Sequence, residues 1–106
     1  MKIYLINETG SNRYKIGITK NDIEYRIEQL QTANAAKLGL IKVFHTEFDF
    51  KVEAALHRRY KAFQTLGEWF ELDDAEVNSF LDNCQKIENN FKLLELHNTY
   101  LQDKKK

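Results

Sequence analysis

KIYLINETGSNRYKIGIT, residues 2–19, contains two short apolar runs separated by the loop segment ETGSN. Runs rich in β-branched and aromatic residues on either side of such a Gly-, Ser- and Asn-containing loop are typical of a β-hairpin. We therefore expect strands at residues 2–7 and 13–19 that pair antiparallel. This hairpin fixes the orientation of every side chain along both strands.

The alternation along the hairpin predicts which side chains share a face, because successive side chains of a strand point to opposite sides. The apolar set that we place toward the core comprises Ile3, Leu5, Tyr14, Ile16 and Ile18. Tyr4, Lys15 and Gly17 then lie together on the opposite face. We expect Tyr4 to be the cross-strand neighbour of Lys15, and Gly17 to leave room for a molecule to approach the sheet.

A helix is predicted directly after the hairpin, at about residues 22–33. Asn21 and Glu24 have the spacing of a capping box. The buried stripe of this helix, at helical spacing, consists of Ile23, Ile27 and Leu30. Arg26 lies at the flank of that stripe.

A third strand at about residues 40–47 and a second helix at about residues 49–64 are predicted next. The core positions of the second helix are Val52, Leu56, Tyr60 and Phe63. Glu53 and His57 are four residues apart and share a different face. GEWFEL, residues 67–72, is typical of a turn followed by a short extended segment.

The C-terminal part predicts a further helix, which runs to about residue 101 with a break near residues 89–90. Asp73 and Glu76 form a second capping box. Its apolar stripe is Val77, Phe80, Leu81, Cys84, Ile87, Phe91 and Leu94. We expect an α+β core at 1–72, with a three-stranded antiparallel sheet flanked by helices. The helical extension at 73–106 either packs on that core or mediates a homodimer.

Composition favours one globular domain: of 106 residues, 42% are hydrophobic and 30% are charged. No apolar run is long enough to cross a bilayer, and the N-terminus lacks a signal-peptide pattern. We therefore expect a cytoplasmic protein with no membrane partner. Cys84 is the only cysteine, so an internal disulfide is excluded.

The net charge is zero, but the two halves of the chain differ. Residues 1–60 hold ten Lys/Arg and seven Asp/Glu, a balance of +3, and residues 61–106 hold six and nine, a balance of −3. Nucleic-acid binding is therefore expected from a local patch, and it should be sensitive to salt. The densest basic cluster, which offers phosphate contacts or is simply a solvated helix face, is His57, Arg58, Arg59 and Lys61.

Tyr4, Lys15, Arg26 and Glu53 come from four consecutive predicted elements, and in this order the sequence resembles the GIY-YIG nuclease superfamily. KIY, ending at Tyr4, stands where that family has GIY, and KIG, beginning at Lys15, stands where it has YIG. Arg26 matches the helix arginine of the family, and Glu53 matches its metal-binding glutamate.

Three further segments resemble the phage-type GIY-YIG-like DNA-binding branch and its relatives named after a meiotically up-regulated gene. These segments are LQT (30–32), EAALH (53–57) and GEWF (67–70). The resemblance covers roughly residues 2–72. The sequence departs from the family pattern at Lys2 and Lys15, and only Thr65 lies near the place of an asparagine that many members carry.

The resemblance implies metal-dependent hydrolysis of a DNA phosphodiester bond by water. Tyr4 would act as general base in place of the YIG tyrosine, with the Lys15 ammonium favouring its phenolate. Arg26 would hold the scissile phosphate. Glu53 would bind Mg²⁺, or Mn²⁺ as an alternative, and the ion would stabilise the leaving 3′ oxygen. Gly17 and the basic cluster are the expected nucleic-acid contacts.

Each of these residues also has an ordinary structural explanation. Tyr4 is a common strand residue, Lys15 a common solvated one, and Arg26 has Asp22 as a candidate partner on its helix. His57 contacts either the ligand shell of the metal or a local partner. Two aromatic residues of GEWF fill the core against the second helix or stack on a base, and its glutamate is a supporting acid or a turn residue.

Three functions follow. The first is a metal-dependent DNA endonuclease, and the second is a non-catalytic DNA-binding module on the same fold. The third is a regulatory or inhibitory protein that binds another protein through the acidic C-terminal half, in which residues 68–76 hold five acidic residues. Retention of both Arg26 and Glu53 favours the first, because a DNA-binding surface alone has little use for a carboxylate that faces a phosphate.

Overall fold

The computed structural model describes the backbone of residues 1–104 and the side chains of residues 1–98. The predicted hairpin is confirmed: β1 (Lys2–Glu8) and β2 (Arg13–Thr19) pair antiparallel. Gly10 in the connecting loop has a φ of +85°, a conformation that side-chain-bearing residues rarely adopt. The glycine of ETGSN therefore allows the chain to turn back between the two strands.

The described residues form a four-stranded antiparallel sheet with helices on both faces. The remaining elements are α1 (Ile23–Thr32), β3 (Leu38–His45), α2 (Asp49–Arg59), a 3-10 helix (Lys61–Phe63), β4 (Trp69–Glu71), α3 (Asp74–Asn78) and α4 (Phe80–Lys104). The strand order is β3-β1-β2-β4. The α+β class is confirmed, but the prediction of three strands is wrong. The short extended segment of GEWFEL pairs with β2 and adds an edge strand.

The first face of the sheet packs against α2 and the N-terminal part of α4, as the alternation predicted. Its buried cluster comprises Ile3, Leu5, Ile16, Val52, Leu56, Tyr60, Phe70, Leu72, Val77, Phe80 and Cys84. Burial of this apolar surface is the main contribution to stability. Asn83 Nδ2 donates to Tyr60 Oη at 2.9 Å inside this layer, so α4 and the end of α2 are also joined by a buried hydrogen bond.

The second face of the sheet is covered by α1 and forms a smaller core. Tyr4, Ile6 and Leu38 are its buried members, and the side chains packed against them are Ile23, Ile27, Leu30 and Trp69. Tyr4 is therefore fully buried, although it points away from the main core as predicted. The expected pairing of Tyr4 with Lys15 is wrong: Tyr4 lies opposite Gly17, and Lys15 lies opposite Ile6.

The predicted helix starts and ends need several corrections. The N-cap of α1 is Asp22, without a side-chain cap bond, so the capping box at Asn21 and Glu24 is wrong. Lys2 Nζ donates to the Asn21 carbonyl instead, at 3.0 Å. The second helix ends at residue 59, and Phe63 is 40% exposed in the 3-10 helix rather than buried.

The C-terminal extension is divided at Ser79, not at residues 89–90, because α3 ends before it and α4 then continues without a break. Asp73 Oδ1 accepts from the Glu76 N–H at 2.8 Å, which confirms Asp73 as the cap of α3. Leu81 and Leu94 are exposed rather than part of the buried stripe. Residues 105–106 of the predicted extension lie outside the described residues.

Gln31 connects the end of α1 to the start of β3. Its Nε2 donates to the carbonyls of Asn34 (3.3 Å) and Ala36 (2.9 Å), and its Oε1 accepts from the Leu38 N–H at 2.9 Å. One side chain thus satisfies three backbone groups of a loop that has no regular structure. Gln31 is the central residue of the LQT segment. Within the described residues, no helix is both long and apolar enough to cross a membrane.

Candidate functional site

The candidate site lies at Ile16, where β2 passes beyond the short strand β4. The Ile16 N–H donates to the Glu68 carbonyl at 3.1 Å, and the Ile16 carbonyl lies 3.0 Å from His57 Nε2. One strand residue therefore holds two segments at the same edge: α2 through His57 and the turn before β4 through Glu68. A carbonyl only accepts hydrogen bonds, so His57 Nε2 carries the hydrogen and Nδ1 is left as an acceptor.

Glu53, His57 and Glu68 meet at this edge. One carboxylate oxygen from each glutamate and one His57 ring nitrogen lie within 4.8 Å of one another, and all three residues are half-buried. The His57 ring is also held by an edge contact with Phe70, at 5.2 Å between ring centres. Two carboxylates and an imidazole are donors that bind divalent cations in proteins.

Burial raises the pKa of Glu53, and the nearby Glu68 carboxylate raises it further. His57 and Lys15 oppose these two effects. Glu53 Oε2 is buried and has no hydrogen-bond partner among the described residues. A carboxylate in these surroundings is costly to ionise, and a bound cation would offset that cost.

Tyr4 reaches the site because position 17 is a glycine. A Cβ built on Gly17 would lie against Tyr4 Oη and only 2.5 Å from Tyr4 Cζ, which is too close for any larger residue. The Tyr4 ring therefore lies across the backbone of β2. The room that the sequence predicted beside Gly17 is filled by this ring, and Gly17 itself is buried.

The Tyr4 hydroxyl is buried and makes no hydrogen bond of standard geometry with the described residues, although the Arg26 side chain lies close enough to lower its pKa. Burial raises the pKa of Tyr4, and the Arg26 guanidinium partly counteracts this, whereas the Glu68 and Glu53 carboxylates raise it further. The cation that acts on the phenol is thus Arg26. Lys15, which the sequence assigned to that role, pairs with Glu68 at 3.3 Å between Nζ and Oε2.

Arg26 has no ion-pair partner among the described residues, so the ordinary pairing with Asp22 is absent there. Its Nη1 makes one long contact of 3.5 Å with Gln29 Oε1, and its Nε is buried without a partner. A buried polar atom without a partner costs about 1–3 kcal/mol and therefore requires an explanation. Among the described residues three such atoms occur: Tyr4 Oη, Arg26 Nε and Glu53 Oε2.

The structure brings together most of the sequence-predicted site. Its members are Tyr4, Lys15, Gly17, Arg26, Glu53 and His57. Arg58, Arg59 and Lys61 are exposed at the end of α2 and just beyond it. Thr65 lies outside the cluster, where its hydroxyl donates to the Trp69 carbonyl at 3.2 Å.

Glu68 belongs to the cluster, although the sequence left its role open between a supporting acid and a turn residue. The signal that points to it is its place in GEWF. Its neighbour Trp69 packs with the α1 face of the sheet rather than against α2, and Phe70 lies in the main core. The Lys15 ammonium also lies 5.7 Å from the centre of the Trp69 ring.

Comparison with known proteins gave one finding. The family model of the T5orf172 domain matches residues 1–87. This domain occurs in phage-type and GIY-YIG-like nuclease-associated proteins. The matched region contains the whole cluster around Ile16, together with α3 and the first part of α4. No curated protein and no solved structure matched the chain.

Proposed function

Because this chain belongs to the T5orf172 domain family, we propose that it is a metal-dependent DNA endonuclease with a GIY-YIG-like site. One observation carries the proposal. The three buried polar atoms without partners belong to Tyr4, Arg26 and Glu53, three of the four residues that the motif resemblance assigns to catalysis. An acid–base group, a cation and a carboxylate that lack internal partners are suited to a reacting phosphate.

Arg26 binds the scissile phosphate in this proposal. Its guanidinium has no carboxylate partner among the described residues, and its Nε–H is buried without an acceptor there. A phosphate oxygen would satisfy that donor by a charge-assisted hydrogen bond. The same contact offsets the negative charge that grows on the phosphate oxygens in the transition state.

Tyr4 accepts the proton of the attacking water. The water oxygen forms the new bond to phosphorus while its proton passes to the Tyr4 phenolate. The bond from phosphorus to the 3′ oxygen breaks, and the departing 3′ oxygen takes up a proton from solvent. Burial raises the pKa of Tyr4 above its ordinary value despite the opposing effect of Arg26. The hydroxyl is therefore protonated at neutral pH. We therefore expect the cleavage rate to increase with pH from the neutral into the alkaline range.

Glu53 fits a divalent cation, because one of its oxygens is buried without a donor. The proposed ion is Mg²⁺ or Mn²⁺, which would supply Lewis-acid stabilisation of charge on the leaving oxygen. The exposed residues Arg58, Arg59 and Lys61 contact the DNA backbone in this arrangement.

Cleavage of supercoiled plasmid in Mg²⁺ or Mn²⁺ tests the proposal. Glu53→Gln, Arg26→Met and Tyr4→Phe are each expected to slow cleavage by about a hundredfold or more. Glu28→Gln, at an exposed position of α1, is the matched control and should cleave like the wild type. Wild-type cleavage that survives Glu53→Gln would contradict the proposal.

A non-catalytic DNA-binding module is the second candidate. The observation that favours it is the ion pair of Lys15 with Glu68, which places a lysine and its partner where the family pattern has a tyrosine. Salt-sensitive DNA binding without cleavage in either metal would support this candidate. It would also make Lys15 a mark of lost catalysis.

A further inference from the structure

We propose that Glu53, His57 and Glu68 form a preformed three-ligand site that binds a divalent transition ion such as Mn²⁺ in preference to Mg²⁺. The inference rests on the proposed function only because both place a metal ion at Glu53. It differs in assigning the ion to three protein ligands instead of to Glu53 alone. It also assigns the chemical preference of the site.

The geometry of the three donors carries the inference. Their ligand atoms lie within 4.8 Å of one another, so one ion can contact all three after small side-chain rotations. Glu53 and His57 are one turn apart on α2, and Glu68 is fixed beside them by the backbone hydrogen bond to Ile16. The site is therefore assembled by the fold before any ion binds.

His57 supplies the nitrogen ligand of the proposed site. Its Nε2–H donates to the Ile16 carbonyl at 3.0 Å, which fixes the tautomer and leaves Nδ1 as the ligand atom. A backbone carbonyl behind a histidine is a common support for a metal-binding imidazole. Mg²⁺ prefers oxygen ligands and keeps several waters, whereas a nitrogen ligand shifts the preference toward transition ions, of which Mn²⁺ is the one that also suits carboxylate oxygens. The preference for Mn²⁺ follows from this nitrogen.

A second observation indicates that the positive charge at the cluster does not match its two carboxylates. Glu53 Oε2 is buried without a donor among the described residues, and the Tyr4 hydroxyl, buried beside Gly17, also makes no hydrogen bond of standard geometry there. Among the described residues, Lys15 is the one cation that forms an ion pair with these carboxylates, at 3.3 Å from Glu68, whereas Arg26 lies beside Tyr4 and pairs with neither. One ammonium does not balance two carboxylates that share a site, whereas a dication would.

Titration of the full chain without DNA tests the inference, with MnCl₂ and MgCl₂ followed by calorimetry. The wild type is expected to bind one Mn²⁺ at least about tenfold more tightly than Mg²⁺. His57→Gln keeps a donor for Ile16 but removes Nδ1, so it should weaken Mn²⁺ binding by about tenfold or more and affect Mg²⁺ much less. Glu68→Gln and Glu53→Gln should weaken both.

Matched controls and a spectroscopic readout complete the test. His45→Gln and Glu71→Gln, both at exposed positions, should bind Mn²⁺ like the wild type. Pulsed electron paramagnetic resonance of the bound Mn²⁺ should show coupling to a directly bound imidazole nitrogen, which disappears in His57→Gln. The spectrum separates a metal ligand from a residue that only supports the fold.

The outcomes distinguish this inference from the proposed endonuclease. An unchanged Mn²⁺ affinity and an unchanged nitrogen coupling in His57→Gln would overturn the three-ligand site, even if Glu53-dependent cleavage persists. Absence of Mn²⁺ binding to the wild type would overturn it as well. Three-ligand Mn²⁺ binding without plasmid cleavage would support this inference and defeat the endonuclease.

Discussion

Gly17 and Tyr4 act together at the residue scale, because the tyrosine ring occupies the space that a side chain at position 17 would fill. Gly17→Ala is expected to destabilise the fold by about 1–3 kcal/mol, since it forces the buried ring to move. Urea denaturation measures this cost. The matched control is Gly39→Ala, whose added Cβ would meet only Thr9 Oγ1, at an ordinary 3.7 Å.

A smaller residue at position 4 shows whether Gly17→Ala destabilises the fold through its contact with the Tyr4 ring or through a general effect of alanine in a strand. In a Tyr4→Val background the added methyl group meets no ring, so Gly17→Ala should cost clearly less than in the wild type. Equal costs in the two backgrounds would show that the close approach of Tyr4 is not what requires glycine.

Removing the charge of Glu53 is expected to stabilise the folded protein, and the gain should depend on pH. Its pKa is raised in the folded protein, so ionising the carboxyl at neutral pH costs folding free energy. Glu53→Gln should therefore raise the melting temperature at pH 7 in the presence of EDTA. The gain should disappear below about pH 4.3, where the carboxyl is protonated in both folded and unfolded chains. Thermal unfolding at several pH values measures this difference.

The exposed variant Glu28→Gln serves as the control for this prediction and should change the melting temperature little at either pH. A melting temperature of Glu53→Gln equal to that of the wild type at pH 7 would contradict the prediction. A gain that persists at low pH would also contradict it, because the cause would then be something other than a buried charge.

Much of the candidate site could be predicted from the sequence, but not its partners. The motif resemblance was enough to group Tyr4, Arg26 and Glu53. It could not show that Arg26, rather than Lys15, acts on the phenol, because this depends on the strand register and on how α1 covers the sheet. Side-chain pairing across elements is a tertiary property that spacing along the chain does not contain.

At the scale of whole elements, Gln31 was also singled out by the sequence, whereas its contacts are known only from the structure. The sequence singled out LQT as a family segment, and the structure gives its central residue a role in joining α1 to β3. Gln31→Ala leaves three backbone groups of the loop without this partner, so we expect a loss of about 1–3 kcal/mol in unfolding free energy. Chemical denaturation measures the loss.

The neighbouring Gln29→Ala is the control for this prediction, since the Gln29 side chain is exposed and its contact with Arg26 is long. It should cost well under 1 kcal/mol. Similar costs for the two variants would show that Gln31 contributes no more than an ordinary helix residue. If Gln31 holds the loop, its variant should also increase amide hydrogen exchange at Leu38.

Element boundaries were predicted less well than element types, for identifiable reasons. β4 has three residues, which is too short for alternation to distinguish it from a turn. The Asn21 cap failed although its spacing was correct, because the helix begins one residue later, with Asp22 at the N-cap position. Ser79 separates α3 from α4, but it lies between the apolar residues Val77 and Phe80, whose spacing also fits one continuous helix.

Over the whole molecule, α4 extends the fold beyond the packed core. Its buried residues reach Glu88, and Phe91 still packs against the main cluster. Farther along, Leu93, Leu94 and Leu96 are exposed. The homodimer that the sequence analysis placed on this helix, and the division of the chain at residue 72, stay predictions.

The charge asymmetry of the chain predicts how it binds DNA. The basic half contains the exposed Arg58 and Arg59, whereas the acidic half includes residues 68–76 and all of α4. Replacing Arg58 and Arg59 by Gln should weaken binding to unrelated sequences about equally. It should also reduce the slope of log affinity against log salt by about 1 for each lost phosphate contact. Fluorescence anisotropy at several salt concentrations measures both effects.

Lys86→Gln is the control for this last prediction, because it removes one exposed positive charge from the acidic half of the chain. If binding depended only on net charge, Lys86→Gln would weaken it about as much as a single arginine replacement. A local patch beside the cluster at Ile16 predicts instead that only the arginine variants change the salt slope. Equal slopes in all variants would place the phosphate contacts elsewhere and remove the basic residues after His57 from the proposed DNA path.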